Sequence, residues 1–246
     1  MRNLKFEIEY DGTNYCGWQV QNSRRKKSIQ EVIEKALRKI LQEKVKLIAS
    51  GRTDAGVHAI GQVTNFKTRS AISIAKLQWA LNGNLPDDIR IRKIEEVNLN
   101  FHSRFQAKSK VYRYTILNRP YSSVFYRTTA YFYPYPLDIK LMRKEAGVLL
   151  GKHNFRSFQA ADKKERRPIR TIRDMRVKKD KEFIHLDIEA DGFLYNMVRN
   201  IAGTLIEIGR GKFTPGYIKK ILSLRDRKFA GPTAPAKGLR LIKVNF

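Results

Sequence analysis

Hydrophobic positions in the first half of the chain follow the periods of strands and helices in turn. Residues 5–10 alternate with a period of two, which is typical of a half-buried strand. Ser28 and Glu31 form a capping box, and the apolar spacing of three and four that follows predicts an amphipathic helix from Ile29 to Leu41. The other elements predicted in this half are strands over 47–50, 62–66 and 89–94 and a helix from Ser73 to Asn82.

The second half repeats this order of elements. Alternation and β-propensity predict a strand over 110–116, and Asp138 is suited to cap a helix that ends at Gly151. Thr214 and Pro215 predict another helix, with the proline in its first position. The remaining predictions are a hairpin over 175–177 and 183–188, a helix from Phe193 onward and a closing strand over 239–244.

Two successive β-α-β-β-α-β patterns predict an α+β fold of two ferredoxin-like halves, an arrangement shared with many RNA-binding domains. We expect the antiparallel sheets of the two halves to join into one mixed sheet around a basic cleft. The first half should cover residues 1–105 and carry a loop around Asp54, and the second should cover residues 106–246 and carry Arg199.

The charge of the chain narrows the range of partners. Its 50 Lys and Arg residues against 23 Asp and Glu residues give a net charge of +27. Positive charges in such excess repel one another in the folded state, and a polyanionic partner relieves this repulsion. Nucleic acid is the first candidate for that partner, and an anionic membrane surface is the second. Residues 106–246 contribute +19 of this charge and residues 1–105 contribute +8, so we expect the second half to bind anions more strongly.

Cysteine and histidine usage points to a protein of the reducing cytoplasm without a metal. Cys16 is the single cysteine, so no internal disulfide is possible, and the first 20 residues do not resemble a signal peptide. No run of about 18 apolar residues predicts a membrane span. The 4 histidines are scattered without the spacing of metal ligands, and we expect no metal site.

Residues 152–181 concentrate positive charge, with 12 Lys and Arg residues against 4 Asp and Glu residues. Cations beside Phe155 and Phe158 would suit a nucleic-acid strand, with phosphates bound by the cations and bases stacked on the rings. The alternative is a solvated loop whose phenylalanines pack in the core. We expect phosphate contacts from this segment and core packing of the two phenylalanines.

A glycine-punctuated loop, SGRTDAGVHA at residues 50–59, contains the first candidate for chemistry. Arg52 and Asp54 lie two residues apart among small residues, and glycines allow a backbone to approach a ligand closely. A carboxylate in such a loop can act as a nucleophile, a base or a metal ligand. It can equally be a turn residue that accepts hydrogen bonds from its own backbone.

The second candidate is Arg199, in a segment that reads as a helix from Phe193. Leu194, Met197 and Ile201 fall on one face of this helix, and Arg199 falls nearly opposite, among small residues. An arginine in this setting can pair with a carboxylate or bind a phosphate through two hydrogen bonds. The plain alternative is an exposed helical arginine.

The peptide GRTDAGVHA at 51–59 resembles the signature loop of the TruA family of tRNA pseudouridine synthases. Six further motifs follow in the family's order and cover both halves of the chain. They are KVYRYTI (110–116), HNFRSF (153–158), IRTI (169–172), GFLYNMVRNIAGTL (192–205), GRGK (209–212) and APAKGLRL (234–241).

This resemblance implies a homodimeric isomerase without a cofactor, which converts uridines 38, 39 and 40 of the tRNA anticodon stem-loop into pseudouridine. Asp54 corresponds to the family's catalytic aspartate, and Arg199 to the basic residue that pairs with it. Tyr112 corresponds to the tyrosine that contacts the target base, although residue type alone favours a strand tyrosine packed on a sheet. Arg52 corresponds to the arginine that holds the place of the flipped nucleotide.

Three other functions compete with this interpretation. The first is a pseudouridine synthase with a different RNA target, and the second is a non-catalytic RNA-binding or chaperone module. A nuclease is the third, but the sequence lacks the clustered carboxylates that a two-metal site requires.

Overall fold

The computed structural model describes residues 1–20, 26–161 and 167–246. The chain forms two compact units. The first contains residues 1–108 and 241–246, and the second contains residues 109–240. Within the described residues, no helix has the length and apolar character needed to span a membrane.

The first unit is an antiparallel sheet with two helices. Its elements are β1 (Arg2–Tyr10), α1 (Ile29–Leu41), β2 (Ile48–Ala49), β3 (His58–Thr68), α2 (Ile74–Asn84) and β4 (Ile89–Val97). The strand order is β4-β1-β3, with β2 also paired to β3. Phe6 and Ile8 of β1 and Ile33 and Leu37 of α1 are fully buried in the core of this unit. The predicted β-α-β-β-α-β order is confirmed in this unit.

The second unit contains the same pattern with additions. Its elements are β5 (Ser109–Leu117), β6 (Tyr131–Phe132), α3 (Ile139–Gly147), β7 (Gly151–Asn154), β8 (Ile169–Asp180), β9 (Phe183–Ala190), α4 (Met197–Gly209) and α5 (Tyr217–Leu224). The strand order is β5-β9-β8-β7, and β6 runs parallel to β5. The last strand, β10 (Leu239–Asn245), begins in this unit and continues into residues 241–246, which belong to the first. The α+β class with a mixed sheet is therefore confirmed, while the short strands β6 and β7 add to the predicted elements.

Side chains at the predicted caps begin three of the helices. Ser28 accepts a hydrogen bond from the Glu31 amide at 3.2 Å, and Asp138 accepts one from the Leu141 amide at 2.9 Å. Ser73 accepts a longer bond from the Lys76 amide at 3.4 Å. Each of these bonds satisfies one amide that the first helical turn leaves without a partner.

Three helix boundaries differ from the sequence-based prediction. The helix expected from Phe193 begins at Met197, because Asn196 adopts the left-handed conformation with φ 57°. The helix expected at Thr214 begins at Tyr217, because Gly216 with φ 85° precedes it and keeps Pro215 outside the helix. Helix α3 ends at Gly147 rather than Gly151.

The boundary between the units also differs from the expected division into 1–105 and 106–246. The first unit extends to Lys108, and residues 241–246 group with it rather than with the second unit. The reason is the position of β10, which lies beside β3 in the strand order. The Lys108 amide also donates to the Asn245 carbonyl at 2.8 Å, which ties the end of the chain to the first unit.

Phe155 and Phe158 are both 0% exposed, with ring centroids 6.2 Å apart, so their predicted core packing is confirmed. Part of the basic segment, residues 162–166, lies outside the described residues. The predicted phosphate contacts of this segment stay a prediction.

Candidate active site

The loop between β2 and β3 holds Asp54 on a tight turn. Asp54 is half-buried, and its carbonyl accepts a hydrogen bond from the Val57 amide at 3.1 Å. Gly56, inside this turn, has φ 75°, a conformation that glycine adopts without strain. Thr53 and Val57 on either side are buried, so the backbone around Asp54 is fixed at both ends.

Thr53 anchors the loop to β1 and to the segment after it. Its hydroxyl is 2.7 Å from the Tyr10 hydroxyl, and its carbonyl accepts from the Trp18 amide at 3.0 Å. Burial raises the pKa of Tyr10 to about 12, although hydrogen bonds with Thr53 and Gln62 oppose this shift. Tyr10 therefore keeps its proton at neutral pH, and its hydroxyl and that of Thr53 share a hydrogen bond that ties the loop to β1.

Two glycines allow the segment after β1 to lie directly against the Asp54 loop. A Cβ atom at Gly17 would be 2.6 Å from the Thr53 carbonyl oxygen and 3.1 Å from the Asp54 carbonyl carbon. Gly17 also has φ 103°, which disfavours any residue with a side chain. A Cβ atom at Gly12 would overlap the Val57 carbonyl oxygen. The backbone of this segment thus packs directly against the backbone of the Asp54 loop and restricts its movement.

A buried amide fixes the beginning of the loop. Gln62 of β3 is 0% exposed, and its side chain accepts from the Ser50 hydroxyl at 2.8 Å and donates to the Gly51 carbonyl at 2.9 Å. Arg52 follows Gly51 directly and is exposed. The side chain of Arg52 therefore extends into solvent from a backbone that is fixed on both sides.

Arg199 lies in the first turn of α4, in the second unit, and is half-buried. Its Nε donates to the Ala234 carbonyl at 2.7 Å, and its Nη1 donates to the Asn196 side-chain oxygen at 3.0 Å. These two bonds fix the plane of the guanidinium. Asn196 accepts the second bond from its left-handed position before the helix, a conformation that asparagine tolerates better than most residues.

The face of α4 around Arg199 is covered, so Arg199 is not an exposed helical arginine. Ala202 and Ile206, on the same side of the helix as Arg199, are both buried. A Cβ atom at Gly203 would overlap the Pro232 carbonyl oxygen, so the segment 230–235 packs directly on the helix backbone. The small residues near Arg199 thus serve a close backbone approach, and the same segment supplies the Ala234 carbonyl.

A hydrogen-bond network holds this covering segment in place. The side chain of Asn200, fully buried, accepts from the Thr233 hydroxyl at 2.6 Å and from Arg227 at 3.1 Å. Its amide donates to the Phe158 carbonyl at 2.7 Å. The network connects α4, the covering segment and Phe158. It thereby holds in place the segment whose Ala234 carbonyl binds Arg199.

Tyr112 lies on β5, opposite Ile188 of β9, and is 7% exposed. Its ring meets the Phe193 ring edge to face, with centroids 5.1 Å apart. The ring is therefore held by packing and by the strand ladder of the second unit.

The two units thus each hold one part of the predicted site rigidly. Arg52 and Asp54 belong to the first unit, and Tyr112 and Arg199 belong to the second. Among the residues that the structure describes, no group of three or more His, Cys, Asp or Glu side chains could hold a metal ion.

Comparison with known proteins identifies the family. Residues 8–106 and 146–246 match the sequence profile described as tRNA pseudouridine synthase. The chain belongs to this family. The match includes the Asp54 loop and Arg199, while Tyr112 lies in the part of the chain between the two matched ranges.

Relatives of this family member are similar over their full length. A protein of Thermoanaerobacter sp. (strain X514) named tRNA pseudouridine synthase A is 47% identical over 246 residues, with 100% of both chains covered. Proteins with the same name from Acetivibrio thermocellus and Clostridium acetobutylicum are each 46% identical over 246 residues, again with 100% of both chains covered.

Several residues that support the site were missed by sequence reasoning. Gly12, Gly17 and Gln62 position the Asp54 loop, and Ala234 positions Arg199. The glycines in DGTNYCGW were a visible signal, since two glycines in one short polar segment indicate a turn or a close approach. Gln62 and Ala234 carry no local signal, because their roles depend on contacts distant in sequence.

Proposed function

We propose that this family member isomerises uridine to pseudouridine at positions 38, 39 and 40 of the tRNA anticodon stem-loop. The observation that carries the proposal is the loop GRTDAGVHA, which holds the half-buried Asp54 between two anchored residues. The net charge of +27 suits an RNA substrate, which is bound largely through its phosphates and shape.

Asp54 is the reacting carboxylate in this proposal. The reaction breaks the bond between N1 and C1′, forms one between C5 and C1′, and moves the C5 proton to N1, so no atom is gained or lost. A carboxylate beside the sugar can attack C1′, attack C6 or remove the 2′ proton. All three routes require the ionised form of Asp54, which a nearby guanidinium favours.

Arg199 is the proposed partner of that carboxylate. Its Nε and Nη1 are already bonded to Ala234 and Asn196, so the guanidinium is oriented before substrate binds. Arginine suits this role because its planar fork stays charged and binds carboxylates with defined geometry.

Tyr112 and Arg52 are the proposed contacts to the nucleotide. The Tyr112 ring offers a flat surface to keep the detached uracil in place, and its hydroxyl can assist removal of the C5 proton. A nucleotide in a helical stem must be extruded before it reacts, at a cost of a few kcal/mol. The exposed Arg52 is suited to fill the gap that the extruded base leaves.

Replacing the carboxylate with its amide tests this function. Asp54→Asn should abolish pseudouridine formation on an anticodon stem-loop, while the dissociation constant for tRNA changes by less than about tenfold. Asp87→Asn is the matched control, because Asp87 lies in the same unit with a fully exposed side chain and its loss removes the same charge. Turnover by Asp54→Asn at the wild-type rate would refute the assignment, and binding of tRNA without any turnover by the wild type would favour a binding module.

We also propose a cytoplasmic homodimer in which one tRNA contacts both subunits. Sedimentation equilibrium should then give twice the mass of the chain, and addition of tRNA should not dissociate the dimer. A monomer at micromolar concentration would contradict this part of the proposal.

A further inference from the structure

A stacked pair of rings lies on the surface of the first unit, in the segment between β4 and β5. The imidazole of His102 and the phenyl ring of Phe105 are stacked, with centroids 4.2 Å apart and planes inclined by 28°. Phe105 is nevertheless 76% exposed. The Arg104 guanidinium is 5.7 Å from the centroid of the Phe105 ring. We refer to His102, Arg104 and Phe105 as the ring platform.

Hydrogen bonds fix the imidazole under the phenyl ring. His102 Nδ1 accepts from the backbone amides of Arg104 at 3.2 Å and Phe105 at 3.3 Å. The His102 carbonyl accepts from the Gln106 amide at 3.1 Å, which closes the turn. The imidazole is thus fixed by hydrogen bonds, and the phenyl ring of Phe105 stacks on it. Phe105 is ordered by this contact and not by burial in the core.

The ring platform is attached to the strands that lead into the Asp54 loop. The Ser103 amide donates to the Asn65 side chain at 2.9 Å, and the Ser103 hydroxyl donates to the Ile48 carbonyl. Ile48 pairs with Asn65 in the β2–β3 ladder, and the loop with Asp54 connects these two strands. An RNA held by the ring platform is therefore held by the same strand pair that positions Asp54.

The charge around the ring platform favours RNA over a protein partner or a second copy of the chain. Residues 98–110 contain Arg104, Lys108 and Lys110 but no Asp or Glu. A symmetric contact between two copies at this surface would set Arg104 and Lys108 against the same residues of the other copy, whereas RNA phosphates would be attracted to them. An exposed aromatic ring beside a cation is the usual arrangement for stacking an unpaired base.

We propose that His102 and Phe105 form a stacking platform for an unpaired nucleobase of the substrate RNA, with Arg104 at the adjoining phosphate. This inference rests on the proposed function for the identity of the RNA. It adds a binding residue, Phe105, outside the group around Asp54. The base that stacks is one that lies in a loop, because a paired base in a duplex has no free face.

The test compares two RNAs that differ in unpaired bases. One is a uridine-containing hairpin with 2-aminopurine in its loop, and the other is a blunt duplex of equal length. Phe105→Ala should weaken hairpin binding about tenfold and should leave duplex binding within twofold. Phe105→Trp should keep hairpin affinity and the quenching of 2-aminopurine fluorescence. Arg104→Gln should lower the slope of log K against log salt by about 0.7–0.9, a change that Phe105→Ala should not produce.

Trp79→Ala is the control variant, since Trp79 lies on α2 of the same unit and is 83% exposed. It should change neither affinity, and thermal unfolding should show that Phe105→Ala is folded. Hairpin affinity unchanged by Phe105→Ala, equal loss for both RNAs, or a changed sedimentation coefficient without an RNA effect would each overturn the proposal. Because the binding measurement does not depend on turnover, a wild type that forms no pseudouridine would refute the proposed function and leave the ring platform standing.

Discussion

At the scale of single residues, the geometry around Asp54 depends on neighbours that take no part in the proposed reaction. Gly17 lies so close to Thr53 that a Cβ atom at position 17 would be 2.6 Å from the Thr53 carbonyl oxygen. The Thr53 hydroxyl is in turn hydrogen-bonded with that of Tyr10. The sequence singles out Asp54 as a candidate because its loop has an unusual composition. The residues that support Asp54 could not be identified in this way, because a contact between Gly17 and Thr53 exists only after the chain has folded.

Gly17→Ala should therefore impair catalysis without removing a reacting group. The new methyl group would push on the Thr53 carbonyl, and φ 103° would strain the alanine. We expect the free energy of unfolding to fall by about 1–3 kcal/mol and pseudouridine formation to fall at least about tenfold. Denaturant titration and a single-turnover assay measure these two quantities.

Gly83→Ala is the matched control for that variant. Gly83 lies in α2, and a Cβ there would meet nothing within 4 Å. Alanine should raise the free energy of unfolding by about 0.5–1 kcal/mol through its helix propensity and leave activity unchanged. Equal activity of Gly17→Ala and Gly83→Ala would contradict the role given to Gly17.

At the scale of elements, a buried carboxylate of one helix caps another. Glu145 of α3 is 1% exposed and accepts from the amides of Gly216 at 2.7 Å and Ile218 at 3.1 Å. These amides lie at the beginning of α5, where the helix leaves its first amides without internal partners. The negative charge of the carboxylate is also favourable at a helix N-terminus.

Glu145→Gln should lower the free energy of unfolding by about 1–3 kcal/mol, because the amide keeps a single acceptor oxygen for two donors. Glu9→Gln is the control, since the Glu9 side chain is 54% exposed and its ion pair with Arg92 is 3.7 Å long. It should change stability by less than about 0.5 kcal/mol. Urea denaturation of both variants measures the difference, and equal stability would refute the capping role.

Local signals predicted those elements whose ends are set by nearby residues. Ser28, Ser73 and Asp138 each accept the hydrogen bond that their position in the sequence predicts. The start of α4 could not be predicted in this way, because Asn196 takes a left-handed conformation and bonds to Arg199. The burial of the side of α4 that carries Arg199 could not be predicted either, because residues 230–235 reach α4 only in the folded unit.

At the scale of the whole molecule, buried tyrosines determine stability in alkaline solution. Burial is the largest cause of a raised pKa in Tyr10, Tyr15, Tyr114 and Tyr131. Below pH 10 these hydroxyls are protonated in both the folded and the unfolded chain, so pH does not alter their contribution to stability. Above pH 10 the unfolded chain loses their protons first, and stability falls as pH rises.

Tyr10 is the tyrosine of this group whose titration falls within an accessible pH range, because its pKa in the folded protein is about 12. It should account for about 2 kcal/mol of the stability lost between pH 10 and pH 12. Tyr10→Phe should be less stable at pH 8 by about 1–3 kcal/mol, because Thr53 loses its partner, but its stability should fall less steeply above pH 10. Urea denaturation across this pH range gives both slopes, and identical slopes would contradict the burial argument.

The measurement that tests the central claim most directly is pseudouridine mapping across total tRNA from cells with and without this protein. We expect pseudouridine at positions 38, 39 and 40 to be lost when the protein is absent. Wild-type protein should restore it, and Asp54→Asn protein at equal abundance should not. Unchanged pseudouridine at these positions without the protein, or restoration by Asp54→Asn, would contradict the account.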